Sequence, residues 1–308
     1  MDISIIICTY NRAQLLKRTL ESIGGLVVPP GLAWEVLVVD NNSSDTTKDV
    51  VADFARAGRI PVRYVSESKQ GKSIALNTGI RQSRGDVVAF VDDDMTFDEG
   101  YLQSVAEAAN KYPQATGFGG RILINWPIPK PDWIIMDGPY RNIDGTIGHR
   151  DFGDINKDFS ELNSLPSGGN MFFRRNLFTA GNYFREDIGP LSNRMSYGED
   201  MEFCQRLLSS GSRLCYIAGA IVYHNIPKEK ISKRYFCQRR HDSARDSVMF
   251  TKEASDTACV FGVPRYLFAY LISSFIKWVF CIGSARRFYY KLKVCSILGQ
   301  IAGYQATR

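Results

Sequence analysis

Residues 1–111 alternate between two periodicities, and this alternation restricts the fold more than any other feature of the chain. Short apolar runs rich in β-branched residues, "ISIIIC" (3–8), "WEVLVVD" (34–40), "VRYVSE" (62–67) and "DVVAFVD" (86–92), read as strands. Segments with helical spacing separate them. In "RAQLLKRTLESI" (12–23), Leu15, Leu16, Thr19, Leu20 and Ile23 share one helical face. "NNSSDTTKDVVADFARA" opens with turn and cap residues and continues as a helix, and "KSIALNTGIRQS" and "EGYLQSVAEAANKY" add two more. Such units predict an α/β fold with a mostly parallel sheet flanked by helices. Open sheets of this kind bind ligands beyond the carboxyl ends of their strands. That rule places "CTYNR", "VVDNNSSD" and "VDDD" on one rim, with Asp40 and the triplet Asp92, Asp93, Asp94 facing one crevice.

Three adjacent carboxylates repel one another, so stability alone does not explain the triplet. Asp92 and Asp94 form a DxD pair. At a strand end both can reach one ligand, and hard oxygen donors suit Mg²⁺ or Mn²⁺ bridging to a diphosphate. A solvated turn capping the next helix is the simpler alternative, which the buried run in front makes less attractive. "SYGEDMEFCQRLLSSG" (196–211) reads as a capped helix ending at Gly211, with Glu199 and Asp200 in its first turn. Adjacent acids point in different directions, so one can cap while the other faces the cleft as a general base. His224 ends "AIVYHN", either as an ordinary strand-end histidine or as the imidazole completing a metal site begun by a carboxylate. "LPSGGNMFFRR" (165–175) reads as a strand in which Gly168 and Gly169 mark a bulge or the close approach of a ligand. Lys69 and Lys72 flank Gly71 at a helix start, an anion-facing loop. Neither GxxxxGK[ST] nor GxGxxG is present, so a P-loop and a dinucleotide fold are not supported.

The second half is less regular. Residues 125–163 are rich in Pro, Gly, Asp and aromatics, and Trp126 and Trp133 there read equally as a lid over a sugar or as loop packing. "RLCYIAGAIVYH" is a strand or a hairpin. From Ile231 onward the pattern is helical. The stretch 263–293 mixes apolar and aromatic residues with Lys and Arg, and its least charged part, "YLFAYLISSFI", is too short to span a bilayer. An interfacial helix pair on an anionic membrane and a helical subdomain packed on the core both fit. The net charge of +6 is mild and fits an anionic ligand or membrane surface; no nucleic-acid partner is expected. Seven cysteines with no CxxC pair read as buried free thiols of a reducing compartment. "MDISIIICTYNR" has no basic n-region and no small-residue cleavage site, so a cytoplasmic location is expected, possible membrane contact being at that face.

In order along the chain, "SIIICTYNR", "EVLVVDNNSSDTT", "KQGKSIALNTGI", "GDVVAFVDDDM", "GGNMFFRR", "YGEDMEFCQRL" and a later "YH" resemble family 2 glycosyltransferases, inverting enzymes with a GT-A type fold. The resemblance covers about residues 2–225. No single motif is decisive; their order and combination are specific. It implies a glycosyltransferase domain over 1–228, with a nucleotide-sugar-binding half (1–95) and an acceptor half (96–228), followed by a basic, apolar helical extension (229–308). It implies that Thr9, Tyr10 and Arg12 form the first nucleotide-binding loop, that Asp40 reads the nucleobase, usually uracil, and that Lys72 lies near the nucleotide. Asp92 falls toward ribose and metal, Asp94 is the direct metal ligand, and His224 matches a histidine that binds metal in some members. Gly169 and Asn170 fall where the family contacts donor sugar or acceptor. Asp200 matches the catalytic base, with Glu199 on the acceptor side. The implied partners are Mn²⁺ or Mg²⁺, a nucleotide-sugar, UDP-linked by preference, and a glycan or lipid-linked acceptor in surface polysaccharide or glycoconjugate synthesis. The "CQRRHD" of 237–242 lacks the tryptophan of the QxxRW motif of processive synthases, which favours transfer of one sugar. A sugar-phosphate nucleotidyltransferase and a non-catalytic nucleotide-sugar-binding module share parts of the pattern. The first usually starts with a glycine-rich loop, which "CTYNRAQLL" is not, and the second has no need of Glu199, Asp200 and His224 together.

Overall fold

The computed structural model describes residues 1–143, 146–162, 164–189, 198–250 and 258–306. Their contacts divide them into two compact units, one from Met1–Asn125, 150–189 and Glu199–Asn225, the other chiefly from Trp126–His149 and 226–306.

The first unit follows the expected alternation. Strand β1 (Ile3–Thr9), helix α1 (Ala13–Ile23), β2 (Trp34–Asp40), α2 (Thr47–Ala57), β3 (Val62–Ser66), α3 (Lys72–Gln82) and β4 (Val87–Asp92) succeed one another. They are followed by β5 (Met95–Phe97), α4 (Tyr101–Lys111), β6 (Gly117–Asn125), β7 (Lys157–Asp158), β8 (Asn170–Arg174), α5 (Arg175–Thr179), α6 (Glu199–Ser209) and β9 (Leu214–Asn225). The sheet order is β3-β2-β1-β4-β8-β6-β9-β5, with β7 on β9. The first four strands are mutually parallel, as is β6 with β9, whereas β8 runs antiparallel to both β4 and β6. Period-two alternation sorts β1 between two cores: Ile5 and Ile7 face the layer of α1, α2 and α4, and Ile6 faces the layer of α3 and α6. A β-carbon on Gly79 of α3 would lie 2.6 Å from Ile6 Cγ2, so this glycine lets α3 sit close on the sheet.

Register brings the strand ends level. Thr9 lies opposite Asp40 and Cys8 opposite Asp92, which puts the three expected loops on one rim. Other elements differ from the sequence reading. β5 is a three-residue strand that no periodicity announces, and it pairs antiparallel with β9. Gly168 and Gly169 stand in the turn before β8 rather than within it. β9 is one strand, not a hairpin, and its irregularity is taken up by a register shift at Gly120/Arg121 of β6. The start of the expected 196–211 helix lies in part outside the described residues; Gly211, with φ 83°, follows α6 closely, near the expected end.

The second unit is built on α7 (Lys233–Phe250), α8 (Arg265–Phe280) and α9 (Ser284–Ala306), with a two-stranded ribbon, β10 (Cys259–Val260) and β11 (Val263–Pro264), ahead of α8. Helices α7 and α9 approach closely because Gly299 and Gly303 lack side chains: a β-carbon there would collide with the carbonyls of His241 and Arg245. Trp133 packs edge-on against Phe236 and Phe288, each 5.0 Å away, which is the packing reading for that residue. Trp126 is half-buried.

Candidate functional site

The site lies within the first unit, and the pairing of β5 with β9 builds one side of it. That register sets Met95 opposite His224. The Asn225 N–H and side-chain amide both donate to the Asp94 carbonyl, at 2.9 and 3.0 Å. His224 Nε2 then stands 3.4 Å from Asp94 Oδ2, and the Arg12 guanidinium stands 3.3 Å from the same oxygen. Both Asp94 and His224 are buried.

Asp93, between the two DxD acids, is a scaffold. Its carboxylate accepts from Thr9 Oγ1 at 2.7 Å and from Arg12 at 2.5 Å, and its carbonyl accepts from Thr19 Oγ1 at 2.9 Å. Burial pushes the Asp93 carboxyl up to about 6 against the pull of Arg12. The Thr9 hydroxyl, expected at the nucleotide, is thereby spent on Asp93, while Tyr10 is 45% exposed on the rim.

The other side centres on Lys72, the first residue of α3. Gly71 before it has φ 148°, and its N–H donates to Asn41 Oδ1 at 2.8 Å. Lys72 Nζ reaches Asp92 Oδ1 at 2.9 Å and Glu199 Oε1 at 3.3 Å. Burial weakens the ammonium, and Asp92, Glu199 and Asp200 together outweigh it, holding Lys72 charged well above the usual lysine range. Burial likewise raises the Glu199 carboxyl, with Lys72 opposing. Asp200 is less buried; it accepts from the Gly168 N–H at 2.7 Å and the Met201 N–H at 2.8 Å. A β-carbon on Gly168 would lie 3.4 Å from Asp200 and 3.6 Å from Lys72 Nζ, and one on Gly169 would lie 3.3 Å from Asp92. The two glycines therefore let backbone stand directly against the acids.

At the end of β2, Asp40 accepts from Tyr64 Oη at 2.7 Å and from the Ser43 N–H at 2.9 Å. Burial, then the bond to Asp40, pushes the Tyr64 phenol up to about 12. Asn41 ties this loop to the next: its amide donates to the Lys69 carbonyl at 2.8 Å while its oxygen takes Gly71.

Asn170, expected at donor sugar or acceptor, is fully buried: its amide donates to the carbonyls of Ala220 and Arg121 and its oxygen accepts from Tyr101 Oη, so its side chain joins β8, β6 and β9. Asn41, Tyr64 and Asn225 belong to no motif singled out in the sequence. Asn41 follows the end of β2 and Asn225 ends β9, which is the local signal that could have found them.

Among the described residues no group of three or more His, Cys, Asp or Glu side chains converges on one point. Asp94 and His224 do converge as a carboxylate–imidazole pair, and Asp92 turns to Lys72 instead. Two protein donors fit an ion that takes its remaining ligands from water and substrate phosphates.

The family model for "Glycosyl transferase family 2" matches residues 4–180. Among curated proteins, glycosyltransferase AglE of Haloferax volcanii is 28% identical over 228 residues, covering 72% of this chain and 66% of that protein. The glucosyl-dolichyl phosphate glucuronosyltransferase of the same organism is 24% identical over 231 residues, covering 73% and 70%. Among solved structures, the mannosyltransferase PcManGT of Pyrobaculum calidifontis, determined with GDP-Man and Mn²⁺, superposes with a TM-score of 0.66 at 18% identity, covering 99% of this chain and 88% of the other. That likeness shows a shared fold.

Proposed function

We propose, for a chain that belongs to glycosyl transferase family 2, the metal-dependent, inverting transfer of one sugar from a nucleotide-sugar to a hydroxyl of a glycan or lipid-linked acceptor. The observation that carries this reading is Lys72. Its ammonium touches both Asp92 and Glu199, so the DxD end and the acid pair of α6 lie within one side chain's reach. A donor at one end and an acceptor hydroxyl at the other then meet over a single sugar's width.

Asp40 and Tyr10 take the nucleobase end, with uracil as the preferred base. Arg12 and Lys72 face the diphosphate as cations. Asp94 and His224 hold Mn²⁺ or Mg²⁺, which when bound supplies the positive charge that neutralises the diphosphate. Asp200, oriented by the Gly168 N–H, removes the proton of the acceptor hydroxyl. That oxygen attacks the anomeric carbon from the face opposite the diphosphate, the bond to the nucleoside diphosphate breaks, and the configuration inverts. Glu199, buried and paired with Lys72, holds the cation in place and is not the base. A relative that acts on glucosyl-dolichyl phosphate supports a lipid-linked acceptor, in glycoconjugate or surface polysaccharide assembly.

Asp200→Asn tests the assignment. It is expected to bind nucleotide-sugar as the parent does and to lose roughly 10²–10⁴-fold in kcat, the range of general-base catalysis. Near-parental turnover removes Asp200 from the role. A thermal-shift screen of UDP-, GDP- and dTDP-sugars with and without Mn²⁺ identifies the base. A metal-dependent shift with GDP-sugars alone overturns the UDP preference.

A further inference from the structure

Helix α8 is apolar on both of its faces. Its inner face packs through Leu267, Phe268 and Leu271 against Ile297, Ile301 and Tyr304 of α9. The outer face of a helix at water is ordinarily polar. Here it carries Ile272, Phe275, Ile276, Val279 and Phe280, exposed by 61, 50, 51, 47 and 77%, and Ile282 just beyond is exposed by 89%. Spacings of three and four residues join these side chains into one patch, which single exposed apolar residues do not make.

Charge selects what covers the patch. After Asp256 the sequence has no acidic residue, yet it has seven Lys and Arg. This stretch therefore carries +7 of a chain whose net charge is +6, leaving −1 for everything before it. A second copy would bring the same positive field against itself, whereas an anionic lipid surface is attracted to it. Helix α8 is 16 residues long and contains Lys277, and no helix among the described residues is long and apolar enough to cross a membrane. Tyr266 and Tyr270, exposed near its start, are residues that favour the headgroup level.

We propose that α8 lies in the boundary between headgroups and acyl chains of an anionic bilayer. The Ile272–Ile282 patch is immersed, and Arg265, Lys277, Arg286 and Arg287 sit at the phosphates. The inference is independent of the sugar-transfer reading, because it is measured by partitioning and not by turnover.

The test is co-sedimentation of the full chain with phosphatidylcholine vesicles, with and without phosphatidylglycerol. Binding is expected only with phosphatidylglycerol and is expected to weaken with salt. Ile272→Ser combined with Phe280→Ser is expected to lower partitioning at least about tenfold. Arg286→Gln combined with Arg287→Gln is expected to lower it by roughly 25-fold at low salt, at about fivefold per cation. Unchanged nucleotide binding by each variant shows that the fold is intact. Brominated lipid should also quench the parent's tryptophan fluorescence, a readout that needs no variant. Absence of both partitioning and quenching overturns the proposal. A dimer in solution that the serine variant dissociates, without vesicle binding by the parent, assigns the patch to a second copy instead.

Discussion

Asp92 and Asp94 stand two residues apart, and the fold gives them different company. Asp92 ends β4 and pairs with Lys72, which also holds Glu199, exposed by only 6%. Asp94 precedes β5 and pairs with His224 and with Arg12, whose side chain is 39% exposed. The turn at Asp93 separates the two, and Thr9, Arg12 and Thr19 pin that turn. One side is thus a lysine held among carboxylates, and the other is a buried carboxylate–histidine pair that can ligate metal, beside a half-exposed arginine. Acids two residues apart at one strand end meet different cations.

The largest effect is expected at the lysine side. Lys72→Met leaves Asp92 and the buried Glu199 without their cation and is expected to cost about 1–3 kcal/mol in urea unfolding, less than for a fully buried pair because Lys72 and Asp92 are partly exposed. Adding Glu199→Gln should recover much of the loss, and a Lys72→Met chain that unfolds like the parent would break the contrast. At the histidine side, His224→Ala is expected to weaken Mn²⁺ binding by at least roughly 10- to 100-fold, the loss that even an outer-shell partner brings. Calorimetry of Mn²⁺ with UDP checks it, and Asp92→Asn weakening Mn²⁺ more than His224→Ala would reverse the two assignments.

A pH dependence is shared by the two sides, since burial raises Glu199 and also Asp93, the latter to about 6. Glu199 holds its proton to a higher pH in the folded chain than in the unfolded one, because of burial. Its contribution to stability is therefore present below the ordinary glutamate range and is lost as pH rises through the raised folded value. Unfolding midpoints should fall over that interval in the parent, and Glu199→Gln should reduce the slope, leaving the part that Asp93 contributes. The smallest effect is expected from Tyr64→Phe, which removes the bond that orients Asp40 and should weaken nucleotide binding by roughly 2- to 10-fold. Unchanged nucleotide affinity would detach Asp40 from the nucleobase role.

Much of the first unit was legible from local pattern. The runs that became β1, β2, β3 and β4 are apolar and β-branched, the helices between them have amphipathic spacing, and the rim loops follow from the parallel arrangement. The acids and His224 stood out because charge or imidazole at the end of a buried run is anomalous. β5 was not legible, since three residues carry no measurable period. The strand-joining role of Asn170 is not legible, because "GGN" looks alike whether its amide faces a ligand or three buried strands.

By itself the sequence determined the elements and the residue types at their ends, because periodicity and end chemistry are written within about a dozen neighbouring residues. Tertiary structure alone decided which acid meets which cation. Asp94 meets His224 because β5 pairs with β9 across a separation that puts Asn225 131 residues from Asp94. Asp92 meets Lys72 because α3 packs on β1 and starts beside the end of β4. Those meetings depend on strand register and helix packing between distant segments, which no local pattern encodes.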